Sequence, residues 1–275
     1  MKAAAFDYAR PRDLGEAVAL LAQGKGSAKA LAGGQSLGPM LNLRLARPGL
    51  LVDISRLEEL RAIEDAGDAW RIGSAVTHSE IEDADGTLGG GAMLVEVAAG
   101  IAYRAVRNRG TIGGSLAHAD PAGDWPLALA ALGADVILRG PAGERTISAG
   151  RLVTAAFTTE IREDEIVTAV LVPKLSGAAR FGYFKFCRKT GEFPEASAAV
   201  VLDPERHAAQ VYLGALSGPP QPLPELARRI AESGRAIVAR EAAAEAVATV
   251  PGLDAVDRRM RAGTLLRALE RALAR

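Results

Sequence analysis

Cysteine is almost missing from this chain: Cys187 is the only one among 275 residues. A lone thiol makes no internal disulfide, and it cannot hold an iron–sulfur cluster, which takes about four thiolates. Histidine is nearly as scarce. His78, His118 and His207 lie far apart in sequence, with no spacing that sets two metal ligands on one helix. Neither sign of charge prevails, since Lys+Arg and Asp+Glu both number 33, so nothing draws the chain to nucleic acid or an anionic membrane. Long apolar runs are missing too. The opening MKAAAFDYARPRD meets charge after a short apolar run, unlike a signal peptide, and no later segment reads as a bilayer span. These absences predict a cytoplasmic protein with no transmembrane segment and no metal of its own.

What is present is an ordinary globular composition, 49% hydrophobic and 24% charged, in a chain long enough for one large or two smaller domains. Asp13-Leu-Gly-Glu16 reads as a capping box that opens a helix ending at Gly24, and Thr77-His-Ser-Glu80 reads as another. AKALAG and GLLVDIS are strand candidates, and LRAIED and AWRIGSAV pair as a hairpin across Ala66-Gly67-Asp68. The run from Ala92 to Arg107 reads as helix. A helix from Trp125, strands DVILRG and ERTIS, and strand EIVTAVLVP follow. The pattern breaks near Pro173-Lys-Leu-Ser-Gly177. There RFGYFKFCRKTGEF opens a second unit with strands at SAAVVLD and AAQVYLGAL, Pro-rich SGPPQPLP and a helical tail. In the tail Leu265, Leu266, Leu269 and Leu273 form one apolar stripe, assigned to a core. The class is α+β, with small segregated sheets instead of one long parallel sheet.

Two glycine-rich stretches carry the chemistry. Gly34-Gln35-Ser36-Leu37-Gly38 reads as G-x-S-x-G, the turn on which many hydrolases mount a nucleophilic serine. That elbow needs a finished sheet beneath it, and only 35 residues precede Ser36. The other reading is an anion cradle, in which backbone N–H groups gather at a helix start. Gly110-Thr-Ile-Gly113-Gly114-Ser115 repeats the same ingredients, paired glycines for close approach and hydroxyls for donation. Two such loops suit a ligand with two linked phosphates. Neither is a Rossmann or P-loop fingerprint.

The stretches LAGGQSLGPMLNLRLARP and VRNRGTIGGSLAHADPAGDWP resemble the two flavin-binding signatures of one subunit family. This is the FAD-binding medium subunit of the molybdenum hydroxylases, the xanthine dehydrogenase and carbon monoxide dehydrogenase family. The resemblance runs through FDYARPRDLGEAVALLA, LLVDIS, the DEI before the strand ending in Pro173, and YFKFCRKTGEF. It departs at the C-terminal helix, where many members carry a tyrosine before an arginine and this chain reads Arg259-Met260-Arg261.

The resemblance implies a two-subdomain FAD-binding domain of the PCMH or vanillyl-alcohol-oxidase type at 1–176, divided about residue 55, and a smaller α+β domain at 177–275. It assigns the diphosphate and ribityl chain to Leu31, Ala32, Gly33, Gly34, Gln35, Ser36 and Leu37, with Thr111, Gly114 and Ser115. Asp120 and Asp124 are assigned to the adenosine half, Asp124 also being a candidate helix N-cap. Ile101 and Ala102 are placed near the flavin, Lys185 near its isoalloxazine, and Phe193 over a ring face. Cofactor contacts are also assigned to His118, in the second loop, and to Ile166 and Val167, at the start of the strand ending in Pro173.

The implied function is electron transfer by non-covalently held FAD. A small partner subunit would carry [2Fe–2S] clusters and a large one the molybdenum cofactor, in a dimer of heterotrimers. The external acceptor would be NAD, a quinone or oxygen. No residue of this chain is expected to act as a general acid or base, because the flavin does the chemistry. The rival readings are a stand-alone FAD-dependent oxidase and, more remotely, a serine hydrolase using Ser36.

Overall fold

The computed structural model describes residues 2–84, 88, 91–235, 237 and 239–274. Strands β1 (Asp7–Ala9), β2 (Ala28–Leu31) and β3 (Leu50–Asp53) form a parallel sheet in the order β1-β3-β2. Helices α1 (Leu14–Gln23) and α2 (Leu37–Asn42) make the crossovers. Asp13 caps α1 by accepting the Glu16 N–H at 2.8 Å. The reciprocal bond of the expected capping box is displaced by one residue, since Glu16 Oε2 takes the Arg12 N–H instead. Ala17, Val18 and Leu21 of α1 pack on Val52 and Ile54 in a core of their own.

The hairpin β4 (Ile63–Asp65) and β5 (Ala69–Gly73) forms as its sequence predicts, and a helical stretch follows. It comprises α3 (His78–Glu82), α4 (Ala92–Ala99), α5 (Arg104–Arg107), α6 (Ile112–His118) and α7 (Asp124–Ala131). The Thr77 capping box of α3 is complete, with both reciprocal bonds present. The helix expected over 92–107 is interrupted. Gly100 ends α4, and Ala102 takes a left-handed φ of 44°, so the carbonyls of 100–102 leave the helical ladder. Then come β6 (Asp135–Gly140), β7 (Gly143–Ser148), α8 (Ala149–Leu152), the ribbon β8 (Val153–Ala155) with β9 (Thr158–Thr159), and β10 (Ile166–Pro173). Strand β10 returns to the centre of an antiparallel sheet ordered β4-β5-β10-β6-β7. Helix α7 is buried along its whole length against this central core.

The last sheet is antiparallel, in the order of its strands β11 (Arg180–Phe186), β12 (Ala196–Asp203), β13 (Ala208–Gly214) and β14 (Gln221–Pro222). Helices α9 (Pro224–Ser233), α10 (Arg240–Ala248) and α11 (Ala255–Ala274) follow. Every residue of β12 is buried, and strand alternation shares them between two cores. Ala199 and Val201 join Phe181 and Tyr183 in the central core, while Ala198, Val200 and Leu202 face the C-terminal helices. The leucine stripe of α11 divides. Leu265 and Leu269 are buried, but Leu266 is half-buried and Leu273 is 55% exposed. Small residues let the helix dock: a Cβ on Gly182 of β11 would stand 1.8 Å from the Ala268 carbonyl oxygen.

Candidate cofactor site

Residues 32–36 connect β2 to α2, and Gly34 takes φ +71°, a conformation costly for any residue with a Cβ. The backbone N–H groups of Gly33, Gly34, Gln35, Ser36 and Leu37 make no hydrogen bond among the described residues. Five consecutive free donors at a helix start are what a diphosphate needs and what a purely structural turn would avoid. The exposed Ser36 hydroxyl makes no capping bond and stays free to donate as well.

The second loop plays a different part from the one its glycines suggest. Ile112 N–H donates to Val76 O, Gly113 N–H to Ser74 O, and Gly114 N–H to Thr111 Oγ1. Its donors are therefore largely engaged, and the loop is a wall stitched to the β5–α3 turn. The glycines serve packing: a Cβ on Gly113 would lie 2.4 Å from Ser74 Cβ, and one on Gly110 would lie 2.8 Å from His78 Nε2. Gly114 faces the first loop, with Ala32 Cβ 4.0 Å from where its own Cβ would be. The two loops touch at Gly33, whose missing Cβ would fall 1.9 Å from Arg109 O. A cradle of this shape, donors on one side and bare backbone on the other, fits the diphosphate of FAD.

His78 holds the second loop from behind. Its backbone N–H donates to Gly110 O at 2.9 Å, and its ring Nδ1 accepts the Trp125 indole N–H at 3.0 Å. That bond requires the neutral tautomer protonated on Nε2. Burial, reinforced by the charge of Arg107, lowers the His78 pKa to about 4.

A second centre lies where α4 and α7 meet β11. Tyr183 and Lys185 alternate along the strand and both reach Asp124, the first residue of α7. The Tyr183 hydroxyl donates to Asp124 Oδ1 at 2.6 Å, and Lys185 Nζ stands 3.1 Å from both carboxylate oxygens and 2.8 Å from Gly100 O. Burial pushes the Asp124 carboxyl upward against the opposing pull of Lys185 and the two hydrogen bonds. Burial and the neighbouring carboxylate push the Tyr183 phenol well above its ordinary range. The resemblance assigns Asp124 to the adenosine half and Lys185 to the ring. The structure brings the two side chains into direct contact, as a carboxylate buried this deeply needs its counter-ion beside it. Asp124 is also no N-cap, since Gly123 occupies that position.

The structure places the remaining candidates as follows. Ile101 and Ala102 adjoin Gly100, and Gly191 packs so closely that a Cβ there would be 2.6 Å from Ala102 O. Two residues on, Phe193 is 67% exposed. Asp120 is half-buried and accepts the Ala122 N–H within its own turn. His118 packs its ring against Phe157, with centroids 5.2 Å apart. The side chains of Ile166 and Val167 are buried, in the N-terminal and central cores respectively, and are not brought to either centre. No histidine bonds Ser36 among the described residues, His78 being committed to Trp125 and His118 packed on Phe157, which leaves a catalytic serine without its base. Sequence reasoning did not find Arg107, Glu82 or Tyr183. Their side-chain partners lie 22 to 59 positions away, too far for any local pattern to signal.

The family model for the FAD binding domain in molybdopterin dehydrogenase matches residues 4–175. The nicotine 6-hydroxylase medium subunit of Paenarthrobacter nicotinovorans is 37% identical over 82% of this chain and 80% of its own. The carbon monoxide dehydrogenase medium chain of Hydrogenophaga pseudoflava is 40% identical over 72% of this chain and 69% of its own. Among solved structures, a chain of reconstituted CO dehydrogenase from Oligotropha carboxidovorans superposes with a TM-score of 0.92. It is 33% identical, over 100% of both chains. The two-loop cradle and these matches agree: the chain belongs to the family of FAD-binding medium subunits of the molybdenum hydroxylases.

Proposed function

We propose that this chain is the FAD-carrying electron-transfer subunit of a heteromeric molybdenum hydroxylase. The observation that carries the reading is the run of five unpartnered N–H groups, Gly33 to Leu37, on a loop that meets the second glycine-rich loop where Gly33 touches Arg109. In this reading those groups and the Ser36 and Ser115 hydroxyls hold the diphosphate. Leu31, Ala32 and Thr111 shape the cradle, and Ile166 and Val167 support it from the cores behind. His118 and Asp120 lie toward the adenosine half. Ile101, Ala102, Lys185 and Phe193 surround the ring end, with Asp124 anchoring Lys185.

Bound FAD supplies one-electron and two-electron redox chemistry, which no side chain of this protein can supply. The protein's part is orientation and electrostatics. Lys185 would hold a positive charge near the ring, where it would favour the reduced, anionic form, and Asp124 with Tyr183 fixes that side chain in position. Electrons would arrive from [2Fe–2S] clusters on a small partner subunit, reduced in turn by the molybdenum cofactor on a large one. They would leave to NAD, a quinone or oxygen. The assembly is proposed to be a cytoplasmic dimer of heterotrimers, and no helix among the described residues is long and apolar enough to cross a membrane. The domain division at residue 176 belongs to the same reading.

The test is direct. The purified chain, incubated with FAD and desalted, is expected to show flavin absorbance at one FAD per chain. A folded preparation that stays colourless overturns the reading.

A further inference from the structure

Three consecutive carbonyls, those of Gly100, Ile101 and Ala102, are all held by cations. Lys185 Nζ donates to Gly100 O at 2.8 Å, and Arg107 Nη1 donates to Ile101 O and Ala102 O, each at 2.9 Å. Each cation is fixed by a carboxylate on a different element. Lys185 is paired with Asp124, and Arg107 grips Glu82 in a two-pronged bond of 2.8 and 2.9 Å. Two clamps thus converge on one short turn. The turn is costly to hold, because Ala102 is a non-glycine residue at φ +44°.

Peptide geometry says what the clamp achieves. In a trans peptide the N–H points opposite to the C=O. Aiming the Ile101 and Ala102 carbonyls at Arg107 therefore turns the Ala102 and Tyr103 N–H groups the other way. Neither N–H makes a hydrogen bond among the described residues. The turn is half-buried, and the Gly191 backbone closes on Ala102 from the side that leads to Phe193. A strained turn with its carbonyls tied back and two donors left free is built to present those donors.

We infer that Arg107 is a positioning residue for the ring end of the cofactor. It holds the Ile101–Ala102 turn so that the Ala102 and Tyr103 N–H groups, with Lys185, face the polar edge of the flavin. This inference rests on the proposed FAD site. Donors fixed there stabilise negative charge on the reduced ring more than they stabilise the neutral oxidised ring, so they raise its potential. Lysine cannot replace Arg107, because one ammonium cannot grip a carboxylate with two prongs and still reach both carbonyls.

The experiment uses the full chain loaded with FAD and measures the flavin midpoint potential by equilibration with a reference dye. Arg107→Ala and Arg107→Lys are expected to retain FAD but to lower the potential. The ratio of reduced to oxidised flavin should change at least tenfold at fixed dye ratio, about 30 mV for a two-electron couple. Added guanidinium should restore the Arg107→Ala protein. Arg104→Gln is the control. Arg104 also binds Glu82 and Asp83, yet bonds no carbonyl of the turn, so the potential should hold. Glu82→Gln, which removes the anchor only, should lower it in the same direction, and it decides the matter if the Arg107 variants fail to fold. Bound FAD at an unchanged potential in these variants overturns the inference alone. Failure of the unaltered chain to bind FAD overturns the proposed function as well.

Discussion

Gly33 and Arg109 meet backbone to backbone: a Cβ on residue 33 would stand 1.9 Å from the Arg109 carbonyl oxygen. The two cradle loops, separated by some 75 residues of sequence, are thereby made into one surface. A methyl group at that point has no flexible neighbour to push aside, so it must drive the loops apart. Gly33→Ala is therefore expected to weaken FAD binding by roughly fivefold to over a hundredfold, on the scale of a 1–3 kcal/mol overpacking penalty delivered within the site. Gly38 has open space where its Cβ would be, and Gly38→Ala should leave affinity within about threefold. Titration of both variants with FAD, followed by fluorescence quenching, measures the difference.

Charge and donor loss separate the two loops. Gly114→Asp puts a carboxylate against the diphosphate and blocks backbone approach, so binding should nearly vanish. Ser36→Ala removes one hydroxyl donor to an anion, worth about 1.5–3 kcal/mol, or roughly a tenfold to hundredfold loss of affinity. Equal and small effects from both changes would show that the diphosphate sits elsewhere.

His78 makes the fold acid-sensitive. Its pKa is about 4 in the folded chain and 6.5 in a free peptide. The unfolded chain thus takes up the proton first as pH falls. The neutral imidazole's contribution is complete above pH 6.5 and is lost progressively down to about pH 4, a total of about 3 kcal/mol. Denaturation monitored by Trp125 fluorescence across this range should show the slope. His78→Asn, which can still accept from the indole but does not titrate, should remove most of it.

Much of the framework was legible because it is written in local patterns. The Thr77 capping box, the hairpin across Gly67, and strand β10 before Pro173 each depend on neighbours within a few residues. The loops were legible as glycine clusters, but their division of labour was not. That the second loop spends its N–H groups on Val76 and Ser74 follows from the pairing of distant segments. The 92–107 stretch shows the same limit. Its residues favour helix, yet Lys185 and Arg107 take three carbonyls out of the ladder, and one of those cations comes from a strand 85 positions away. Leu273 looked apolar enough for a core, but the docking face of α11 is set by Gly182 and the alanines opposite it.

Flavin attachment should be non-covalent. Cys187 is the only thiol, and the family resemblance calls for no flavin link there. His118 is packed against Phe157, and His78, behind the second loop, has its Nδ1 taken by the Trp125 indole. Precipitation of the holo-chain with acid should leave the yellow colour in the supernatant. Flavin retained in the pellet would contradict this.

The chain alone should be unable to oxidise the substrate of its complex. With one cysteine it cannot hold the iron–sulfur clusters that would feed its flavin. A stand-alone oxidase also needs a substrate chamber over the ring. Here the region after Lys174 is spent on a sheet whose faces are committed to the central core and to the C-terminal helices. Passing electrons onward makes fewer demands, needing bound FAD and an accessible ring edge. Reconstitution distinguishes the two cases: the FAD-loaded chain is mixed with candidate aldehydes and N-heterocycles, with and without the two partner subunits. Flavin bleaching is expected only when both partners are present, while chemically reduced flavin in the isolated chain should still reduce an artificial dye. Bleaching by substrate in the isolated chain would refute the relay and establish an oxidase in its place.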